Sequence, residues 1–256
     1  MQIDHLTTYH GQAGLGSHVS PRSERRPRIC NRCAGQRRAD DGASLTEILD
    51  PVAVMRVVRV IPVVTVRNIE EAAPLARALV AGGLPVIEIT LRTPAGLEAI
   101  SATAMIQGAL VGAGTVMTGD QARAAVDAGA KFLVSPGLVE DVVEAGAQSG
   151  VPVLPGIATP TEMVRALALG CLTLKVFPAS LVGGPALIRA LAALRPDVAF
   201  VPTGGIDLRS APAYLEHPQV VAVGGSWMLP TDAVERQDWE EIERQALACA
   251  TLRGAP

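Results

Sequence analysis

The chain has 256 residues, 49% of them apolar, and its 22 basic and 25 acidic residues give a net charge of −3. This length suits one large α/β domain or two small ones, and the apolar content excludes global disorder. The near-neutral charge gives no reason to expect a nucleic-acid or membrane partner, and an aromatic content of 3% disfavours a base-stacking surface.

Residues 1–43 differ in composition from the rest of the chain. They hold seven arginines and four acidic residues and show no hydrophobic period. We predict a disordered, Arg-rich extension, which a start codon assigned too far upstream would also explain. Cys30 and Cys33 have zinc-ligand spacing, but no second ligand pair follows at finger spacing, so we predict no metal site. An arm that touches RNA or DNA is the remaining alternative.

From Ser44 onward, short apolar runs alternate with segments of helical length. A lead-in helix is predicted over about 44–55. Strands that alternate with helices indicate parallel βαβ units, and eight such pairs predict a (β/α)8 TIM barrel over residues 44–256. A doubly wound open sheet is the alternative, but it lacks its usual GxGxxG or GxxxxGK[ST] motif. The predicted strands are 58–64, 85–91, 109–113, 131–134, 151–154, 171–176, 199–202 and 220–223.

Several helix starts are marked by capping residues. Asn68 and Thr118 each precede Glu or Gln by three residues, which is the capping-box pattern. Thr159-Pro160 followed by Glu162 adds proline at the first helical position. These signals predict helices directly after the first, third and fifth strands.

Only two of the 22 basic residues are lysines, Lys131 and Lys175. Lys131 lies at a helix-to-strand junction, where a solvated side chain is expected. Side chains alternate between the two faces of a strand. On that basis Glu88 and Arg92 in the second strand, and Lys175 in the sixth, all point into the barrel mouth, where the chemistry of such barrels collects.

Two interpretations of this charged trio are open. Unpartnered charges are costly to bury, so the three residues could form a purely structural ion-pair network. Alternatively they form an active site, because burial beside a cation favours the neutral amine of a lysine. A neutral amine can attack a carbonyl and form a Schiff base, which an arginine cannot do.

Glycine-rich turns follow the seventh and eighth strands. Thr203-Gly204-Gly205 ends the seventh strand, and Gly224-Gly225-Ser226 ends the eighth. Glycines let backbone N–H groups approach an anion, and the loops after strands seven and eight are the usual phosphate site of these barrels. Plain tight turns are the alternative interpretation.

These motifs together resemble the 2-keto-3-deoxy-6-phosphogluconate (KDPG) aldolase family, which includes bifunctional 2-keto-4-hydroxyglutarate (KHG) aldolases. The resemblance covers about residues 44–253. The matching stretches are IPVVTV (61–66), EITLRTP (88–94), GAGTV (112–116), SPG (135–137), PGIATPTE (155–162), LKVFPAS (174–180), PTGGI (202–206) and GGSWM (224–228).

The resemblance implies a class I aldolase without metal or cofactor, usually a homotrimer of (β/α)8 barrels. It makes Lys175 the Schiff-base nucleophile and Glu88 the general acid/base. Some relatives have an arginine late in the first strand, where this chain has Val64-Thr65-Val66, so no catalytic role is assigned there. The long Arg-rich N-terminus is also unlike the family. The substrate-binding residues that the resemblance implies are Arg92 and Thr115 for the carboxylate, Pro136 and Phe177 for the pocket, and Thr203, Gly204, Gly205 and Ser226 for the phosphate.

The implied reaction is the cleavage of KDPG to pyruvate and D-glyceraldehyde 3-phosphate in the Entner–Doudoroff pathway. KHG cleavage and oxaloacetate decarboxylation are alternatives, because both use the same pyruvate enamine. EITLRT and GGSW favour this family over the sister 6-phosphogalactonate aldolases. A phosphate-binding isomerase or epimerase, and a non-catalytic sugar-acid-phosphate sensor, are rivals of other classes. Four scattered cysteines do not form a disulfide framework, so a cytoplasmic setting is expected.

Overall fold

The computed structural model describes residues 50–253 of the chain. The predicted extension over 1–43, with its Cys30/Cys33 pair, and the first half of the predicted lead-in helix lie outside the described residues. None of the helices over residues 50–253 is both long and apolar enough to cross a bilayer.

Short strands and helices alternate along the described chain. The strands are β1 (Val60–Val64), β2 (Val86–Thr90), β3 (Leu110–Gly114), β4 (Leu133–Val134), β5 (Val153–Leu154), β6 (Gly156–Ile157), β7 (Thr173–Val176), β8 (Ala199–Pro202) and β9 (Val223–Gly225). The helices are α1 (Pro51–Val58), α2 (Ile69–Ala81), α3 (Gly96–Ala104), α4 (Gly119–Asp127), α5 (Glu140–Ser149), α6 (Pro160–Ala168), α7 (Gly184–Ala192), α8 (Ala211–Leu215), α9 (Thr231–Glu235) and α10 (Trp239–Ala250).

The strands form two parallel sheets. One has the order β5-β4-β3-β2-β1-β9, and the other has the order β6-β7-β8. Single parallel bridges, Phe200 with Val220 and Thr203 with Gly224, connect the β8 segment to the β9 segment. Where a single fifth strand was predicted over 151–154, the structure has β5 and β6 on either side of Pro155, which has no N–H to donate to a neighbouring strand. The chain is therefore an α/β protein built on parallel strands.

Helix α1 ends later than predicted. The Asp50 side chain accepts a hydrogen bond from the amide of Val52, and Pro51 occupies the first turn. Arg59 then ends the helix with a left-handed φ of 62°. Val58, which was predicted to begin the first strand, is therefore helical, and β1 begins at Val60.

Two apolar cores lie on opposite faces of the strands. Val86 of β2 belongs to one cluster, and its neighbours Ile87 and Ile89 belong to the other, as alternation predicts. Met55 and Val58 of α1 join the Val86 cluster. Because α1 leads directly into β1, it covers this inner core at the N-terminal ends of the strands. The C-terminal ends are left for a functional site.

The helix start predicted at Thr159-Pro160 is confirmed, and it forms a capping box. The Thr159 hydroxyl accepts from the amide of Glu162, and the Glu162 carboxylate accepts from the amide of Thr159. The amide of Ala158 also donates to this carboxylate at 2.8 Å. This hydrogen bond, followed by those from Thr159, lowers the pKa of Glu162 below its ordinary value of 4.5.

Glu162→Ala is expected to destabilise the fold by about 0.5–1 kcal/mol at pH 7, the range for exposed helix caps. A carboxylate whose pKa is lowered by folding stabilises the protein above its unfolded pKa, and the contribution is lost as the pH falls through the folded value. The difference in melting temperature between the wild type and the variant should therefore shrink below about pH 4.5. A constant difference from pH 7 to pH 3 would contradict this assignment.

Candidate active site

Lys175 and Glu88 meet at the C-terminal ends of the strands, as strand alternation predicted. Nζ of Lys175 on β7 donates to Oε1 of Glu88 on β2 at 3.2 Å. Both residues are buried, with 6% and 3% of their surface exposed. The inner strand faces thus bring an amine and a carboxylate from positions 87 residues apart into direct contact.

Phe177 forms one wall beside the amine. Its ring centre lies 5.3 Å from Nζ of Lys175, and the ring is half-buried. Lys175 is also held by its backbone, because its amide donates to the carbonyl of Pro155 at 3.0 Å. An amine held at a fixed position against an aromatic wall is suited to attack the carbonyl carbon of a bound substrate.

Pro136 lies one strand away from the lysine. It is half-buried after β4, and its carbonyl packs so tightly on Gly156 that a Cβ atom there would overlap it. Gly156 in turn pairs with Lys175 in the β6–β7 register. Pro136 therefore borders the Lys175 position on the side opposite β8.

Arg92 lies outside the buried Lys175–Glu88 pair, so the purely structural network of all three residues, one of the two open interpretations, is not formed. Strand β2 ends at Thr90, so the alternation does not extend to Arg92, which is exposed. Its Nε donates to Oγ1 of Thr115 at 3.3 Å. In the described part of the chain, the carboxylate of Glu88 pairs with Lys175 and not with Arg92.

Thr115 directly follows β3 in an unusual backbone conformation. Its φ is 59°, in the left-handed region that β-branched residues rarely adopt. Such a conformation costs roughly 1–3 kcal/mol and is found mainly at functional sites. In this conformation the Thr115 hydroxyl accepts the hydrogen bond from the Arg92 guanidinium at the C-terminal ends of the strands.

The predicted phosphate residues lie on two adjacent segments. Thr203 is buried and forms a bridge with Gly224, so the turns after β8 and β9 are neighbours. Gly204 and Gly205 have φ values of 98° and 70°, which only glycine adopts easily. The Phe177 ring lies 3.3 Å from where a Gly204 Cβ would stand, so this turn packs against the wall beside Lys175.

Ser226 is exposed and opens onto a cavity of about 390 Å³ beside the strand ends. The cavity is also lined by Thr65, Arg67 and Glu235, and the last two form an exposed ion pair at 3.7 Å. The Thr65 hydroxyl lies 2.8 Å from that of buried Thr90. Thr65 was given no role from the sequence, although it alternates with inward Ile61, and this pattern could have placed it at the mouth.

Lys131 is exposed, as predicted for a solvated strand start. Of the two lysines, therefore, only Lys175 is buried against a carboxylate.

Among residues 50–253, no group of three or more His, Cys, Asp or Glu side chains is close enough to hold a metal ion.

A buried lysine–carboxylate pair at the C-terminal ends of parallel strands is typical of enzymes that use an amine to attack a carbonyl. The family model described as "KDPG and KHG aldolase" matches residues 52–245. The chain belongs to this aldolase family.

Individual relatives agree with the family match. The 2-dehydro-3-deoxy-phosphogluconate aldolase of Treponema pallidum is 48% identical over 197 residues, which are 77% of this chain and 93% of that protein. The KDPG aldolase structure from Legionella pneumophila, with pyruvate captured as a covalent carbinolamine, has a TM-score of 0.75 at 40% identity. That alignment covers 78% of this chain and 98% of the other.

A phosphate-bearing molecule is present in a further similar structure. The Zymomonas mobilis 2-keto-3-deoxy-6-phosphogluconate aldolase was solved with 3-phosphoglycerate. It has a TM-score of 0.76 at 41% identity and covers 80% of this chain and 97% of that one.

Proposed function

We propose that this protein is a class I aldehyde-lyase that cleaves KDPG to pyruvate and D-glyceraldehyde 3-phosphate through a Schiff base. The observation that carries the proposal is the 3.2 Å contact between buried Lys175 and buried Glu88, in a chain of the KDPG and KHG aldolase family. The relatives' names, and the carbinolamine of the Legionella structure, support the same chemistry. KHG cleavage and oxaloacetate decarboxylation are alternatives at the same site, since both proceed through the same enamine.

In this mechanism Lys175 forms the covalent bond and Glu88 moves protons. Glu88 takes the ammonium proton, and the neutral amine adds to the C2 ketone to give a carbinolamine. Glu88 then returns a proton to the C2 hydroxyl, which leaves as water, and an iminium remains. A carboxyl group in contact with Nζ is within reach of the atoms that exchange these protons.

Carbon–carbon cleavage uses the iminium as an electron sink. Glu88, through a water molecule, takes the proton of the C4 hydroxyl, and the C3–C4 bond breaks. Its electron pair moves into the iminium to form the enamine of pyruvate, and glyceraldehyde 3-phosphate leaves. Protonation at C3 and attack of water on C2 then release pyruvate and free Lys175.

The other predicted site residues would bind the two ends of the substrate. Arg92 and Thr115, joined at 3.3 Å, would hold the carboxylate, and the exposed guanidinium is accessible to it. Phe177 and Pro136 would shape the pocket around C2 and C3. Thr203, Gly204, Gly205 and Ser226 would bind the phosphate with backbone N–H groups and hydroxyls.

Arg92→Ala is expected to raise KM for KDPG by roughly 10- to 100-fold, because a charge-assisted contact to the carboxylate contributes about 1.5–3 kcal/mol. Arg92→Lys should recover part of this loss, since lysine keeps the charge but not the two-pronged geometry. Steady-state kinetics with coupled pyruvate detection measures both variants. An unchanged KM in Arg92→Ala would remove Arg92 from the carboxylate site.

We further propose that the strands close into a complete (β/α)8 barrel over residues 44–256. The two bridges between the β8 and β9 segments support closure on one side. On the other side, β5 and β6 are separated only by Pro155. Residues 1–43 would form an extension separate from the barrel domain.

We propose that the protein assembles as a homotrimer in the cytoplasm, without a cofactor and without a nucleic-acid or membrane partner. Light scattering should then give three times the mass of the chain.

One substrate comparison tests the proposed activity. Pyruvate release is measured with KDPG, its galactonate epimer, 4-hydroxy-2-oxoglutarate and oxaloacetate at equal enzyme concentration. We expect the largest kcat/KM for KDPG. A preference for 4-hydroxy-2-oxoglutarate or oxaloacetate would favour the alternatives, and no pyruvate from any of the four would favour the isomerase or sensor.

A further inference from the structure

Strand β3 faces the catalytic pair with glycines. Val111 and Ala113 belong to the outer core between strands and helices, so Gly112 and Gly114 occupy the inward positions. Gly114 pairs with Thr90 in the β2–β3 register, and Gly112 pairs with Glu88. Strand β3 therefore has no side chain at the two inward positions next to Glu88, Gly112 and Gly114.

The Glu88 side chain fills the space that a residue at 114 would need. A Cβ atom on Gly114 would overlap Oε1 of Glu88 and lie 2.7 Å from its Cγ and 2.8 Å from its Cδ. Separations below 3.0 Å are essentially never seen for real Cβ atoms, so one group would have to move. The φ of Gly114 is not in the left-handed region, so its backbone would accept alanine and the conflict is purely steric.

Glu88 has little room to move while it keeps its contact with Lys175. On the deeper side, the Phe132 ring occupies the space beside Gly112, with three ring atoms within 2.5 Å of where a Cβ would stand. Glu88 itself is only 3% exposed, so it is enclosed by packed atoms. Displacement towards the mouth would stretch the 3.2 Å contact between Oε1 and Nζ.

We propose that Gly114 is a positioning residue, whose missing side chain seats the Glu88 carboxylate against the Lys175 amine. This inference rests on the proposed role of Glu88 as the proton-transfer group. Gly114 would not contact the substrate in this role, and it acts through the position of one carboxylate. Its effect on catalysis should therefore depend on the presence of the Glu88 side chain.

A double-mutant cycle with Gly114→Ala and Glu88→Ala tests this dependence. We expect Gly114→Ala alone to lower kcat by roughly 10- to 100-fold, part of the 10²–10⁴-fold that a positioned acid/base group supplies. It should also alter the pH profile of kcat. In the Glu88→Ala background the space is open, so Gly114→Ala should change neither kcat nor melting temperature further.

Gly137→Ala is the matched control, because it makes the same substitution beside β4 where nothing lies within 4 Å of the added Cβ. It should keep kcat within about twofold of wild type. If Gly114→Ala does not fold, the comparison with Glu88→Ala decides: a double variant as stable as Glu88→Ala alone supports the proposal, and a lower melting temperature than that of Glu88→Ala contradicts it.

Other outcomes separate this inference from the proposed function. If wild type releases pyruvate from KDPG and Gly114→Ala matches its kcat and pH profile, the positioning role is wrong. The same conclusion follows if Gly114→Ala lowers kcat by the same factor with and without the Glu88 side chain. If the wild type itself releases no pyruvate from KDPG, the proposed function is wrong, and the role of Gly114 that rests on it is wrong as well.

Discussion

Lys175→Arg is expected to lower kcat for KDPG cleavage by roughly 10⁴-fold or more, because loss of the nucleophile removes the covalent route. Arginine keeps the positive charge opposite Glu88, but its guanidinium stays protonated and cannot form the iminium. The position is buried and 3.2 Å from its carboxylate partner, so no other lysine can replace it. Coupled pyruvate release measures the loss, and the melting temperature shows whether the variant is folded.

Lys131→Arg is the control for this substitution. Lys131 is the only other lysine in the chain, and its side chain is exposed. The same chemical change there should leave kcat within about twofold of wild type. If Lys175→Arg kept near-wild-type turnover, or if the Lys131 variant lost it instead, the Schiff-base assignment would be wrong.

Glu88→Gln is expected to lower kcat by about 10²- to 10⁴-fold, the usual contribution of a positioned general acid/base. Glutamine has the same shape, so it fits the space beside Gly114 and can still accept a hydrogen bond from Lys175. It cannot carry a proton between the carbinolamine, the C4 hydroxyl and water. KM should change much less than kcat, since Glu88 is not assigned to substrate binding.

The same variant separates catalysis from a structural ion pair. Removing one partner of a buried pair leaves an uncompensated charge, which usually destabilises a protein by about 3–5 kcal/mol. If Glu88→Gln lowered the melting temperature but kept full turnover on the folded fraction, the pair would be structural only. Loss of turnover in a folded variant supports the catalytic role.

The contact between Lys175 and Glu88 was predictable because strand alternation is a local property. Once β2 and β7 were located, period two placed Glu88 and Lys175 on the inner face, and parallel strands brought them together. Arg92 lies outside this pair because β2 ends two residues before it, and no sequence pattern specified where the hydrogen bonding of β2 stops. Sequence patterns are weakest at such element boundaries.

Other features depend on contacts between distant segments. Pro155 separates β5 from β6. The proline is evident in the sequence, but the sequence does not show that it interrupts the strand pairing. The steric conflict between a Cβ atom at Gly114 and the Glu88 side chain depends on where that side chain lies, and no spacing in β3 specifies this position. The Thr65–Thr90 contact likewise joins two strands and becomes evident only in three dimensions.

Borohydride reduction in the presence of pyruvate tests the central claim most directly. Reduction converts a lysine–pyruvate imine into a stable secondary amine, which peptide mass mapping locates. We expect one pyruvate adduct per chain, on the peptide that contains Lys175, with loss of aldolase activity in proportion to labelling. An adduct on Lys131, or full inactivation without any adduct on Lys175, would contradict the assignment of Lys175 as the Schiff-base nucleophile.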